Sequence, residues 1–205
     1  MSQLKDKIIN TAIQMFERYG YHGVTVNQIV EESGTSKGGF YHHFKSKDEL
    51  LYIIHDYFIN YALENAQEAI RIYETSTERL QAIIHYNIRI FDLYKPHICV
   101  FYQESNYLKP DFKEIINRKR EEYSNIIIKV IKEGIEAGEF RSNLDIKITT
   151  MAIHGMVNWI YKWYKTDGEK TIEEISDIFI DFILQSLLTK EAKENPKYTQ
   201  FLLKK

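Results

Sequence analysis

Residues 25–51 constrain the fold of this chain more than any other stretch. Thr25 and Gln28 stand at the spacing of a helix capping box. Val26, Ile29 and Val30 then mark the apolar face of a short helix. Gly34 follows where a helix must stop and turn, a position that favours a residue able to take φ > 0 without strain. Ser36 is placed to cap a second short helix, whose core-facing residues are Phe40 and Phe44. Ser46 and Glu49 open a third. Two short helices around a tight turn form a helix-turn-helix, the arrangement that lays a second helix in a DNA major groove.

The side chains of the second helix suit that use. From Ser36 to Lys47 there are three lysines, two histidines, a tyrosine and two serines, and no acid. Lys37 is a long donor at the leading end of the helix. Gly38 and Gly39 give a bare backbone able to approach DNA closely, at a cost of about 1 kcal/mol each in helix propensity. The plainer alternative is a loose turn. Tyr41 and His42 carry polar-tipped rings suited to phosphate oxygens and thymine methyls. Lys47 falls in the first turn of the next helix, where amide N–H groups and a cation favour a phosphate.

This segment resembles the DNA-binding domain of TetR-family transcriptional regulators. The matching features are the opening helix Ile8–Phe16, the run Tyr19–Val26, and Gly34–Leu51, of which Phe40–Leu51 is the most specific part. The resemblance implies phosphate contacts at Thr25, Ser36, Tyr41, His42 and Lys47. It implies base contacts at Lys37, Gly38 and Gly39. It covers roughly the first quarter of the chain.

Composition agrees without deciding the matter. The chain has 205 residues, 44% of them hydrophobic, and a formal charge of −2. No global basic field advertises nucleic acid, and the charges of residues 1–50 balance, so the DNA argument rests on local pattern. The one cysteine, Cys99, excludes an intramolecular disulfide framework and suits a reducing cytosol. The N-terminus is charged and lacks a signal-peptide apolar region, and no apolar run is long enough for a membrane span. A cytoplasmic protein with no membrane partner is expected.

The sequence predicts an all-α fold. Capping-box patterns recur at Thr75–Glu78 and Thr171–Glu174, and the three prolines fall at helix breaks. The expected domains are a helix-turn-helix domain over 1–46, a helical effector-binding and dimerisation domain over 47–190, and a polar tail over 191–205. Three helices reach Phe44, a connecting helix runs from Lys47 to about Glu74, and five more end near Leu188. The connecting helix is the route by which an effector would reach DNA.

The helices at 145–165 and 171–188 are apolar around most of their circumference, which suggests packing against another chain. By resemblance they are the family's dimerisation helices. Ile175, Phe179, Phe182 and Ile183 are expected at the dimer interface. An ordinary monomer core is the alternative.

Between the two ends lies a region rich in rings and isolated polar groups, the composition of a small-molecule pocket. Arg89, Phe101, Tyr102, Arg120, Tyr123, Asn158, Trp159 and Trp163 are its candidate ligand contacts. Taken singly, most of them read equally as core aromatics. The stretches Asn117–Tyr123, Glu133–Phe140 and Gly155–Tyr164 look like the acyl-CoA-responsive branch of the family. That implies an acyl-CoA or a large apolar acid as effector, with arginines for phosphates. Arg118 and Arg120 read equally as a solvated face beside Glu121 and Glu122.

No phosphate loop, zinc-helix motif or nucleophile elbow occurs, and the histidines are scattered. No enzyme activity, cofactor or metal is expected. The reading is a homodimeric repressor that binds a palindromic double-stranded operator and is released by a small molecule. The alternatives are a multidrug-sensing regulator of an efflux gene, or a helical ligand-binding protein without DNA binding.

Overall fold

A computed structural model of the chain describes residues 3–93 and 95–203. They are helical almost throughout, and their only β-type pairing is an isolated bridge between Phe140 and Leu188. The helices are α1 (Gln3–Tyr19), α2 (Val26–Glu32), α3 (Lys37–His43), α4 (Lys47–Ile72), α5 (Ser76–Leu93), α6 (Lys95–Gln103) and α7 (Pro110–Glu136). They continue with α8 (Ile146–Asn158), α9 (Ile160–Trp163), α10 (Ile172–Leu187), α11 (Lys190–Glu194) and α12 (Pro196–Thr199). A 3₁₀ turn, Ser105–Tyr107, lies between α6 and α7. No described helix is long and apolar enough to cross a membrane.

The chain divides into two compact units. One holds residues up to 60 together with 94–119, and the other holds 61–93 together with 120 onward. In the first, α1 buries Ile8, Ala12, Ile13 and Phe16. Phe40 and Phe44 of the α3 segment are fully buried, as is Ile29 of α2. Val26 and Val30, expected on the same face as Ile29, are only half-buried. Seven-residue helices have little stability of their own, so α2 and α3 owe their form to this packing and to their caps. Residues 94–119 belong with these helices, α6 packing on α1 and Phe101 sitting 4.3 Å from Phe58 of α4.

In the second unit α10 packs along α5, and the buried residues Ile175, Ser176, Ile180, Ile183 and Leu184 face inward. The start of α5 is held by Glu139. Its carboxylate accepts from the backbone N–H of Ser76 (3.2 Å) and of Thr77 (2.8 Å) and from the Thr77 hydroxyl (2.7 Å). These are donors that a helix N-terminus leaves without intrahelical partners. The helix expected from 145 to 165 is interrupted at Trp159, which ends α8 before the single turn of α9. Beyond Leu188 the chain forms two short capped helices, α11 and α12, rather than frayed coil.

Two glycines have a clear structural reason. Gly34 takes φ +58°, as the turn after α2 requires. Gly134 of α7 lies against the Phe140 ring, and a Cβ added there would come within 2.3 Å of that ring. Phe140 is fully buried and has nowhere to move. Gly134→Ala should therefore lower stability by about 1–2 kcal/mol, overpacking outweighing alanine's better helix propensity. A thermal melt equal to or above that of the unmodified protein would contradict this packing.

Candidate functional site

The helix-turn-helix is built as a chain of side-chain caps. Thr25 caps α2 reciprocally with Gln28: its hydroxyl accepts from the Gln28 N–H (3.3 Å), and its own N–H donates to the Gln28 side-chain oxygen (2.8 Å). The same hydroxyl donates to that oxygen at 2.8 Å, so Thr25 is committed to the cap and serves chiefly to orient α2. Ser36 caps α3, accepting from the Gly39 N–H at 3.0 Å, and keeps its own O–H available. The turn between them is closed by Thr35 N–H on the Val30 carbonyl and by a 3.0 Å contact between the Ser33 and Thr35 hydroxyls.

These caps fix which face of α3 looks outward. With Phe40 and Phe44 turned inward, Lys37, Gly38, Tyr41 and His42 are exposed, Tyr41 at 55%. Among the described residues Lys37 has no hydrogen-bond or ion-pair partner. Gly38 is open on its outer side, whereas Gly39 is half-buried and rests against Leu4 of α1. No acidic residue lies on α3. The helix thus presents a free cation, a phenol, an imidazole and bare backbone on one surface.

Lys47 departs from the expectation of an outward phosphate contact. Its ammonium turns inward and donates to the carbonyls of Tyr21 (2.8 Å) and Val24 (2.6 Å), 4.1 Å from the centre of the Tyr21 ring. The loop after α1 leaves those carbonyls without helical partners, and a half-buried lysine satisfies them. Burial lowers the Lys47 pKa from its ordinary value. Lys47 is therefore a brace for the loop that carries Thr25. The same loop is held by Glu104, which accepts from the Tyr21 N–H (3.3 Å), and by Asp48, which accepts from the Tyr21 hydroxyl (2.8 Å) and pairs with Lys109 (2.9 Å).

Of the candidate ligand residues, Phe101 and Tyr102 belong to the first unit and the other six to the second. Phe101 and Tyr102 lie on α6 in the first unit, with Phe101 packed against Phe58 and His55. Arg89 sits on the exposed side of α5 and pairs with Glu173 of α10 at 3.7 Å. Arg120 is half-buried on α7. Asn158 is half-buried at the end of α8. Trp159 ends α8 and is 59% exposed, and Trp163 is 44% exposed and stacks on Phe179 at 6.3 Å. Both tryptophans, expected among the ligand contacts, are exposed.

Tyr123 is the candidate that lines an enclosed space. The walls are Tyr61, Ala62 and Asn65 of α4, Ile83, Tyr86, Asn87 and Ile90 of α5, and Tyr123 itself. Asn87 donates to the Tyr123 hydroxyl at 2.9 Å. Burial pushes the Tyr123 phenol well above its ordinary pKa, so it stays neutral. The ring also lies 5.7 Å from His154, which meets the Ser124 hydroxyl at 3.1 Å and whose pKa burial lowers. The α4 and α5 residues that wall this space are not among the ligand contacts expected from the sequence. The signal was present: Ile83, Asn87 and Ile90 share one helical face, and an asparagine within such a stripe marks a polar point in an apolar wall.

The other feature of the second unit is an apolar groove formed by Gly155, Met156, Trp159, Trp163, Ile178, Phe179 and Phe182. Phe182 is 63% exposed and, farther along α8, so are Ile148 (63%) and Met151 (60%). Of the four residues expected at a dimer interface, Phe179 and Phe182 are on this face. Ile175, one turn before Phe179, borders the same face and lines an adjoining cleft with Trp163, Ile178 and Phe179, although it is itself buried, whereas Ile183 is buried within the subunit. The 3.6-residue repeat carries α10 round by about 100° per residue, so one apolar helix serves two faces and sequence alone did not separate them.

Residues 8–52 match the family model described as bacterial regulatory proteins, tetR family, and residues 73–187 match the one described as tetracyclin repressor-like, C-terminal domain. The second match alone spans more than half of the chain. The chain belongs to the TetR family. It is a helix-turn-helix regulator of transcription. Among its relatives is the HTH-type transcriptional repressor KstR2 of Mycobacterium tuberculosis, 24% identical over 92% of this chain and 94% of that one. The solved structure of that ketosteroid transcriptional regulator matches with a TM-score of 0.85, at 21% identity over 93% of this chain and 97% of the other. The fatty acid metabolism regulator protein of Bacillus subtilis is 23% identical over 90% of this chain and 95% of its own length. The structure of AibR in complex with isovaleryl coenzyme A and operator DNA matches at 25% identity and a TM-score of 0.78, covering 88% of this chain and 97% of AibR.

Proposed function

We propose that this TetR-family regulator is a homodimeric repressor that reads a palindromic operator through α3 and is released by an acyl-CoA or a large apolar acid. The observation that carries the DNA reading is the outer face of α3, where Lys37 stands exposed and unpaired beside Gly38, Tyr41 and His42. The apolar groove around Trp159 and Phe182 supports the dimer, because a face of this kind is the sort that partner surfaces cover. A second copy brings a second recognition helix, which a palindrome requires.

The effector class is supported by the space beside Tyr123. Its walls are apolar side chains, phenols and amides, with no carboxylate among them. A cationic drug finds no countercharge there, which disfavours the multidrug-sensing alternative. Two relatives, one named for fatty acid metabolism and one solved with an acyl coenzyme A, support the same class. The effector acts only through its difference in affinity between the DNA-bound and released forms, typically 1–3 kcal/mol, or about 5–150-fold in operator affinity.

The test is a titration of the full-length protein on a duplex that it has itself selected from a random pool. Acyl-CoAs, their free acids and organic cations are added separately. Release by acyl-CoA or acid is expected. Release by cations alone would move the protein to the multidrug-sensing class.

A further inference from the structure

The cations of the first unit that lack a partner gather around α3. Up to residue 60 the described basic side chains are Lys5, Lys7, Arg18, Lys37, Lys45 and Lys47. Lys5 is half-buried, Arg18 lies over the Tyr19 ring at 5.2 Å, and Lys47 is bonded to two backbone carbonyls. Lys7, Lys37 and Lys45 are exposed, and among the described residues their side chains have no hydrogen-bond or ion-pair partner. Lys37 opens α3. Lys7 reaches from α1 to the turn that precedes α3: its ammonium lies 3.5 Å from the point where a side chain on Gly34 would begin. Lys45 stands just beyond Phe44, the residue that ends α3, and its backbone N–H is held by the Glu49 carboxylate.

We propose that Lys7 and Lys45 grip the two phosphate backbones that border the major groove, one each, and supply the anchoring that the inward-turned Lys47 does not. The inference rests on the reading of α3 as the recognition helix and deepens it. A helix of the length of α3 spans about 10 Å. A B-DNA major groove is about 12 Å wide, so cations at the two ends of such a helix face opposite strands. Lys37, between them, is left to meet a base edge. Phosphate contacts fix position and carry no sequence information, so Lys7 and Lys45 act alike on the operator and on unrelated DNA. Each phosphate neutralised releases counterions, which makes the contact visible as salt dependence. On a palindrome every subunit contact occurs twice, so one substitution removes two of them from the complex.

The experiment measures the affinity of the full-length protein for its selected operator and for an unrelated duplex over about 0.05–0.2 M salt. Lys7→Gln and Lys45→Gln should each flatten the plot of log affinity against log salt by about 2 per dimer, and weaken binding about ten- to a hundredfold at about 0.1 M salt. Sequence preference and melting temperature should stay as they are, and Lys45→Arg should behave as the unmodified protein. Arg18→Gln is the control for a diffuse field. It lies about 16 Å along α1 from Lys7, beyond the screening length of about 10 Å, and should leave the slope unchanged. Lys47→Gln should lower the melting temperature and also leave the slope unchanged. An unchanged slope in either Lys7→Gln or Lys45→Gln overturns the two-sided grip. So does an equal loss of slope in Arg18→Gln, or a loss in Lys47→Gln. Lys37→Ala separates this outcome from failure of the reading beneath it. If Lys37→Ala weakens the operator while the lysine slopes stand, only the grip fails; if it too has no effect, α3 is not the recognition helix.

Discussion

Phe182→Glu should turn the protein from a dimer into a monomer and remove most of its operator affinity. Phe182 is 63% exposed in the single chain and lies in the groove with Trp159, Trp163 and Phe179. If a second copy covers this groove, the glutamate is buried in an apolar seam without a partner, at a cost of about 3–5 kcal/mol per unpaired charge. Twofold symmetry places the substitution in both subunits, so the cost is met twice across one interface. Sedimentation at micromolar concentration should then show one subunit mass where the unmodified protein shows two. Ile183→Glu is the contrasting variant. Ile183 is buried within the subunit, so its loss should appear as a lower melting temperature. An unmodified protein that sediments as a monomer would remove the basis of this prediction.

The fold was legible where local chemistry and pattern agree. Thr25, Ser36, Thr171 and Gly34 each mark a boundary by a mechanism confined to a few neighbouring residues, and each does so in the structure. The break at Trp159 was not legible, because the residues on either side continue an apolar run and neither Gly nor Pro marks the point. The place of residues 94–119 beside the DNA-binding helices was equally hidden. It depends on contacts between distant positions, such as Glu104 with Tyr21 and Lys109 with Asp48, which no local periodicity encodes.

The candidate sites were legible to different depths. The outward face of α3 follows from Phe40 and Phe44: once those rings point inward, a seven-residue helix has one remaining surface. Lys47 failed the same test because its fate depends on two carbonyls more than twenty residues away. In the second unit, aromatic residues were taken as pocket residues on type alone. Type does not distinguish Tyr123, which is buried, from Trp159, which is exposed. The half-buried Asn87 is the better guide, since a polar side chain inside an apolar stripe needs a reason and a large ring does not.

Lys37→Ala should weaken operator binding by roughly 1–3 kcal/mol, about 5–150-fold, and relax sequence preference at one base pair in each half-site. Lys37 opens α3, is exposed, and has no partner among the described residues, so its removal leaves the fold and melting temperature intact. Tyr41→Phe removes one hydroxyl from the same face. It should weaken binding by about 0.5–1.5 kcal/mol on all sequences alike, as loss of a phosphate contact does. Lys47→Ala should behave differently, lowering both operator affinity and melting temperature, because it uncovers the Tyr21 and Val24 carbonyls and loosens the loop that carries the α2 cap. Competition binding at several salt concentrations separates the cases: sequence selectivity changes for Lys37, uniform weakening follows for Tyr41, and thermal stability falls for Lys47. If Lys37→Ala and Tyr41→Phe combined leave operator affinity unchanged in a folded dimer, α3 is not the recognition helix. The outer face described for it would then need another partner.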